Sequence, residues 1–350
     1  MIESSRRNLR IKAGIFFLLK LTLTGLGLWW AFSHVDWNHP VFTHPEAIDY
    51  SWLLAGVGTA GLGVILCAIR WWFFLKAQSL RVSIWRSIEL TMIGNLFNLV
   101  STAGIGGDAA RILLLIRDHP GRKLVVAMAV MMDHLAGMVA LALSFFVISA
   151  ARFEALTEQS RLGRDIIHFS WVWFSGGLGL VALIFICASP PVHRKIHANN
   201  RFAKWPFMVQ IPLIYDTYRR NWKLTLAGAA FSFALLAAYF ASFWCGLRAV
   251  GGTTSLTTVV SAMPVIESIS SMPVSVAGVG VRESTFQILL KDLANVSAET
   301  AVAASLAGFS CNTFWAFLGA FFFLKKRDRV SVAELEEVGK TETETVMSKS

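Results

Sequence analysis

The sequence contains few charged residues for its length. Asp, Glu, Lys and Arg make up 15% of the 350 positions, whereas hydrophobic residues make up 55%. This balance argues against a soluble domain and predicts an all-α membrane protein with several spans. Cysteine is also scarce, and all four residues lie inside apolar runs without C-x-x-C spacing: Cys67, Cys187, Cys245 and Cys311. We therefore expect no disulfide framework, no metal site and no cofactor.

Sequence motifs for nucleotide binding and for common hydrolases are missing as well. The chain contains no G-x-x-x-x-G-K-[ST], H-E-x-x-H or G-x-S-x-G, which argues against an ATP-driven pump. We expect no enzymatic activity, but a membrane enzyme acting on lipid-linked substrates stays open, because no spacing distinguishes that use of the acidic residues. The net charge of +10 does not indicate nucleic-acid binding, since the basic residues cluster beside apolar runs, as they do at a membrane surface.

Six apolar runs are long enough to cross about 30 Å of hydrocarbon, which takes about 20 helical residues. They lie near Ala13 to Phe32, Trp52 to Leu75, Leu124 to Ala150, Phe169 to Ala188, Leu224 to Leu247 and Ala298 to Leu324. The sequence therefore predicts about six transmembrane helices. We group them in one membrane domain, residues 13–328, with a first half over about 13–150 and a second half over about 169–324.

The distribution of Lys and Arg predicts the orientation of these spans. The N-terminal segment 1–12 is basic, whereas the loop from Ser33 to Ser51 carries acidic residues and neither Lys nor Arg. An excess of basic residues marks the cytoplasmic side. We therefore expect a multi-pass protein of the cell (inner) membrane with both termini in the cytoplasm. The polar tail 329–350 is expected to be a disordered cytoplasmic segment.

Two further apolar stretches, Ile88 to Gly107 and Leu256 to Val281, are better explained as re-entrant segments than as spans. If they crossed, the basic residues that follow them would face outward. Three spans separate the two stretches, so they enter from opposite faces, as in an inverted repeat. Each contains a similar string of small residues, Ser101 to Gly106 and Ser275 to Gly280. We expect the two loops to meet near the bilayer middle beside a cavity, since irregular backbone at that depth must be buried or line a wet space.

The two small-residue strings are the predicted binding site for an anionic lipid headgroup. Glycines expose backbone N–H groups, a helix N-terminus favours an anion, and a guanidinium follows each string and can hold a phosphate with two hydrogen bonds. An alternative is that these residues only cap helices and permit close packing. The candidate residues are Asn95, Asn98, Ser101, Gly104, Gly106, Gly107, Asp108, Arg111, Ser275, Gly278, Gly280, Arg282 and Glu283. Asp108 and Glu283 are expected to orient the two arginines.

Ionisable residues inside apolar segments form a second set of candidates. Asp133 and His134 lie inside the third span, and Glu267 lies inside the second re-entrant segment. Such residues mark functional sites by default, because burying them without a partner is costly. We expect Arg111 or Arg282 to pair with Asp133, and Glu267 is a candidate proton-coupling carboxylate; a purely structural ion pair is the alternative. Arg70 is expected to extend to the headgroups from the end of its span.

At these residues the chain resembles the flippase-like family of the lysylphosphatidylglycerol synthase transmembrane region. The matching pieces are Asn95 through Gly106-Gly107-Asp108-x-x-Arg111, then Asp133-His134-x-x-Gly137, and Pro273-x-Ser275-x-Ala277-Gly278-x-Gly280-x-Arg282-Glu283. The resemblance covers roughly residues 10–328. The chain differs from the family pattern at two places. Members often have a Pro just before the first small-residue loop, where this chain has Ser101 and Thr102, and an Arg beside the span-three Asp, where it has His134. Because histidine titrates near neutral pH, we expect the charge pairing at Asp133 and His134 to depend on pH.

The resemblance implies a role in lipid transport. In the best-known members the membrane domain moves an aminoacylated phospholipid between leaflets, and a soluble domain synthesises that lipid; we expect this chain to act without a synthetic domain. The main hypothesis is translocation of a phospholipid or another lipid-linked anionic headgroup, with membrane lipids as partners. One alternative is an accessory subunit that presents a lipid to a separate glycosyltransferase or aminoacyltransferase. Another is a proton-coupled transporter of a soluble solute.

Overall fold

The described part of the chain is entirely helical apart from turns and connections. The computed structural model describes residues 19, 21–22, 24–33, 35–44, 46, 48–100, 106–152, 154, 157, 160–189, 215–271, 275 and 278–325. After a short helix, Pro40–Thr43, the main helices are α1 (Tyr50–Ala77), α2 (Ile84–Val100), α3 (Gly106–Asp118), α4 (Lys123–Ala151), α5 (Arg161–Ala188), α6 (Trp222–Ala249), α7 (Leu256–Ser270), α8 (Val281–Ala294) and α9 (Ala298–Lys325).

Five of the predicted spans are confirmed as helices long and apolar enough to cross a membrane: α1, α4, α5, α6 and α9. Helix α5 begins at Arg161, eight residues before the predicted start, because Ser160 caps it by accepting a hydrogen bond from the Gly163 N–H at 2.9 Å. The first predicted span lies partly outside the described residues, and its residues 24–33 are helical. The tail 329–350 and the segment 1–12 also lie outside them.

The two predicted re-entrant segments are helical hairpins. In the first, α2 and α3 run antiparallel, because Arg86 near the start of α2 bonds Asp118 at the end of α3 at 2.8 and 3.2 Å. At the other end, the Asn98 side chain accepts from the Gly107 N–H at 2.8 Å. With 17 and 13 residues, these helices are about 25 and 20 Å long, shorter than the hydrocarbon core.

The two hairpins enter the bundle from opposite ends. The open end of the first hairpin lies where α1 ends and α6 begins: Arg122 donates to the Ser79 carbonyl at 3.3 Å, and Asn221 donates to the Ala77 carbonyl at 2.9 Å. At the other end of the bundle, the Asp49 N–H before α1 donates to the Ala249 carbonyl at 2.9 Å. Helix α7 begins there, after a connection of six residues from the end of α6.

Each half of the chain has the same order of elements: a span, a hairpin and a second span. Helices α1 to α4 have 28, 17, 13 and 29 residues, and α6 to α9 have 28, 15, 14 and 28. The Trp72 indole donates to the Val82 carbonyl at 2.8 Å, and the indole of Trp244, 172 positions later, donates to the carbonyl ten residues further on at 3.0 Å. This shared contact fixes the turn that leads into each hairpin, so the halves use the same local construction.

Each hairpin has its own apolar core. The first packs around Trp71, Leu90 and Leu114, which are at most 1% exposed, and the second packs around Phe243 and Phe286, both fully buried. Helices α1 and α6 pack against each other along their length, and α9 contacts both hairpins. Helix α5 is mostly exposed in its apolar stretch. It therefore presents its side chains to lipid when the chain is in a bilayer.

Candidate functional site

Five ionisable side chains converge where the first hairpin packs against α1 and α4. We call this group the Arg111 cluster; it consists of Arg70, Asp108, Arg111, Asp133 and His134. Arg70 comes from α1, Asp108 and Arg111 come from the first two turns of α3, and Asp133 and His134 lie about 15 Å along α4 from its Lys123 end. The hairpin therefore brings its helix N-terminus to a charged centre inside the bundle.

Arg70 and Asp133 form a buried ion pair with two short hydrogen bonds. Its Nε and Nη2 atoms donate to the two Asp133 carboxylate oxygens at 2.7 and 3.0 Å. Arg70 is 8% exposed and Asp133 is 1% exposed. The expectation that Arg70 extends to the headgroups is therefore wrong: it lies about two turns inside the end of α1, and the Asp133 charge keeps it buried.

Arg111 is equally buried but far less tightly held. It is 5% exposed, and its Nη1 atom lies 3.5 Å from the Asp133 carboxylate and 4.0 Å from that of Asp108. Its Nη2 atom is 3.9 Å from the Cys67 sulfur, and its guanidinium carbon is 5.3 Å from the Trp71 ring centroid. Among the described residues its Nε–H has no hydrogen-bond acceptor. The expected pairing of Arg111 with Asp133 is confirmed, but at long range.

Asp108 and His134 form the exposed edge of the cluster. The His134 Nε2 atom lies 2.6 Å from an Asp108 carboxylate oxygen. The His134 side chain is 57% exposed and the Asp108 side chain is 13% exposed. The imidazole is on the same helical face as Met138, which is 56% exposed and one turn further along α4. The charged cluster therefore opens onto an apolar surface of the bundle.

Close packing of two glycines lets the hairpin present Arg111 at this position. A Cβ atom on Gly94 would lie 2.7 Å from the Arg111 Nε and 3.2 Å from the Gly107 carbonyl oxygen. Asn98 ties the same junction by accepting from the Gly107 N–H. Gly106 is the first residue of α3, and Asn95 is half-buried in α2. Ser101 and Gly104 lie outside the described residues.

The tip of the second hairpin buries Arg282 and Glu283. Arg282 is 6% exposed, and its guanidinium carbon lies 4.7 Å from the Phe309 ring centroid. Glu283 is fully buried and accepts from the Gly280 N–H at 2.6 Å and from the Ser305 hydroxyl at 3.0 Å. The carboxylate thus holds the start of α8 and links it to α9; its orientation of Arg282 stays a prediction.

Other predicted residues of this hairpin surround the same tip. Gly278 and Gly280 have φ values of 74° and 84°, which suit glycine. A Cβ on Gly278 would lie 3.0 Å from the Arg282 Nη2, and Ser275 is 6% exposed. Glu267, three residues before the end of α7, accepts from the Tyr239 hydroxyl at 2.9 Å.

The two hairpin arginines lie at different depths in the bundle. Arg282 lies beside Phe243, at 5.9 Å, and the Phe243 turn of α6 packs at the level of Gly56 in α1. Arg111 contacts Cys67, which is eleven residues further along α1 and hence about 16 Å away along the helix axis. In this conformation the described contacts of the two arginines therefore lie at different levels of the bundle, and a single central site built from both stays a prediction.

The helices, hairpins and buried charges together define a multi-pass membrane protein. A family model described as the lysylphosphatidylglycerol synthase TM region matches residues 17–320. The match covers most of the chain, so the protein belongs to this family of membrane proteins, which is linked to lipid metabolism or translocation. No curated protein and no solved structure matches the chain.

Proposed function

We propose that this protein moves the anionic headgroup of a phospholipid, or of another lipid-linked phosphate, across the membrane. The observation that carries the proposal is Arg111, a buried guanidinium whose charged neighbours among the described residues are all 3.5 Å or more away. A buried guanidinium normally uses its N–H groups in short, charge-assisted hydrogen bonds, since leaving them unmade costs free energy. Since none of the Arg111 N–H groups makes such a bond to a carboxylate of the described residues, the guanidinium can bind a phosphate.

A lipid cargo is favoured over a soluble solute by the surroundings of the cluster. His134 and Met138 are both exposed on one face of α4, so a headgroup at Arg111 leaves its acyl chains beside an apolar surface. A soluble solute would instead require a closed polar path through the bundle. The two hairpins enter from opposite ends, which suits alternating access. Family membership supports the same class of cargo.

The proposal is tested by reconstituting the full chain in liposomes that contain phosphatidylglycerol labelled on one acyl chain. A membrane-impermeant quencher then reports how fast label reaches the outer leaflet. We expect rapid exchange with the wild type and at least about tenfold slower exchange with Arg111→Gln, because a lost charged hydrogen bond is worth about 1.5–3 kcal/mol. Arg81→Gln, which changes an exposed arginine outside the cluster, should behave as the wild type.

Two outcomes contradict the proposal. One is no exchange of any anionic phospholipid by the wild type, and the other is wild-type exchange by a folded Arg111→Gln variant. If the wild type is inactive alone but co-purifies with a lipid-modifying enzyme, the accessory-subunit hypothesis takes its place.

A further inference from the structure

The charges of the Arg111 cluster balance before any ligand binds. Arg70 and Arg111 offset Asp108 and Asp133, so these four side chains sum to zero while the histidine is neutral. A phosphodiester bound at Arg111 would bring the sum to one negative charge. An unbalanced charge away from water is costly. Binding of the headgroup therefore favours the gain of a positive charge nearby.

His134 is the residue of the cluster able to supply that charge. Histidine titrates within the physiological pH range, whereas the two arginines stay protonated. Its Nε2 atom lies 2.6 Å from the Asp108 carboxylate, so the neutral ring carries its hydrogen on Nε2 and leaves Nδ1 to receive a proton. With 57% of the side chain exposed, the ring is not sealed inside the bundle.

The charges around the imidazole come from each helix packed there. Asp108 and Arg111 face it from α3, Asp133 precedes it on α4, and Arg70 reaches Asp133 from α1. Tyr218, before α6, belongs to the same buried cluster as Met132 of α4. Protonated His134 would hold Asp108 more strongly, which weakens the attraction between Asp108 and Arg111. The guanidinium then interacts with the phosphate instead.

We propose that His134 is a proton-binding site coupled to headgroup binding, so that a phosphodiester arrives at Arg111 together with one proton on the His134 Nδ1. Release of the headgroup returns the proton to water. This inference rests on the proposed function and adds that lipid transfer is coupled to a proton. Through such a cycle, a pH difference across the membrane would bias the direction of lipid transfer.

The linkage has a definite sign. The anion favours the protonated ring, so affinity for the headgroup is highest at low pH and falls as the pH rises through the titration of His134. For one coupled proton, the affinity changes by at most about tenfold per pH unit. The same coupling requires net proton uptake when the headgroup binds.

Calorimetry of the full-length protein in detergent tests the inference, with short-chain phosphatidylglycerol as the probe. Its phosphodiester does not titrate between about pH 5.5 and 8.5, the range around the ordinary histidine pKa. Titrations in buffers of different ionisation enthalpy give the number of protons taken up. We expect up to one proton for the wild type and for His119→Gln, a control at a distant histidine. His134→Gln should bind more weakly at low pH with no uptake, and His134→Arg should bind equally at every pH.

The results separate this inference from the proposed function. If binding depends on Arg111 but His134→Gln takes up as many protons as the wild type, or the wild type takes up none, the coupling is refuted and the headgroup site stands. If the probe does not bind, or binds Arg111→Gln equally well, both proposals are overturned.

Discussion

The two buried arginines of the Arg111 cluster should respond in opposite ways to removal of their charge. Arg70 makes two short hydrogen bonds to Asp133, and both side chains are at most 9% exposed. Removing one partner of a buried ion pair costs about 3–5 kcal/mol, because the other charge stays buried without compensation. Arg70→Met should therefore destabilise the folded protein by about that amount.

Arg111→Met should cost much less. Its closest carboxylate oxygen is 3.5 Å away, and Asp133 keeps its partner Arg70 when Arg111 is removed. The remaining loss, including the contact with Trp71 at 5.3 Å, is about 1–2 kcal/mol, because protonation of His134 beside Asp108 can offset the charge that Arg111 leaves. The variant should be folded but unable to exchange phosphatidylglycerol. Arg111 therefore contributes to ligand binding more than to stability.

The measurement is unfolding by SDS in mixed micelles, followed by tryptophan fluorescence. Replacing both members of the pair, Arg70→Met with Asp133→Leu, should regain most of the stability lost in Arg70→Met alone, since no unpaired charge is left. Equal losses for Arg70→Met and Arg111→Met would refute the division of roles, and so would a double variant less stable than the single one.

Two further predictions concern the hairpins. Gly94→Ala should destabilise the protein by about 1–3 kcal/mol and slow lipid exchange, because its Cβ would lie 2.7 Å from the Arg111 Nε. The matched control is Gly58→Ala, since Gly58 has open space around it. Equal stability of the two variants in SDS unfolding would contradict the packing argument. Ser305→Ala should cost about 1.5–3 kcal/mol, because it removes the hydroxyl that donates to the buried Glu283 at 3.0 Å; Ser189→Ala, at the end of α5, should have little effect in the same assay.

Much of the fold follows from hydropathy and charge. The ends of α1, α4, α6 and α9 agree with the predicted spans to within about two residues, because their apolar runs are bounded by polar residues. The early start of α5 was missed since Arg164, Asp165 and His168 lower the hydropathy of its first turns. The Ser160 cap and the buried Ile167 compensate for them.

The hairpins were predictable from the positions of basic residues, but the pairing of charges was not. The sequence indicated that Asp133 needs a cation, yet Arg70 is 63 positions away, and only the packing of α1 against α4 brings them together. The separation of Arg111 from Arg282 likewise depends on how α1 and α6 align. The sequence does carry a signal for the repeat itself, because Trp72 and Trp244 lie at corresponding positions of the two halves and make the same hydrogen bond before each hairpin.

Headgroup binding at Arg111 can be seen directly in an experimental structure of the protein with phosphatidylglycerol bound. We expect phosphate density within about 3 Å of the Arg111 guanidinium, beside Asp108 and His134, with the acyl chains along the apolar surface near Met138. A phosphate held only by exposed arginines such as Arg81, with none near Arg111, would contradict it.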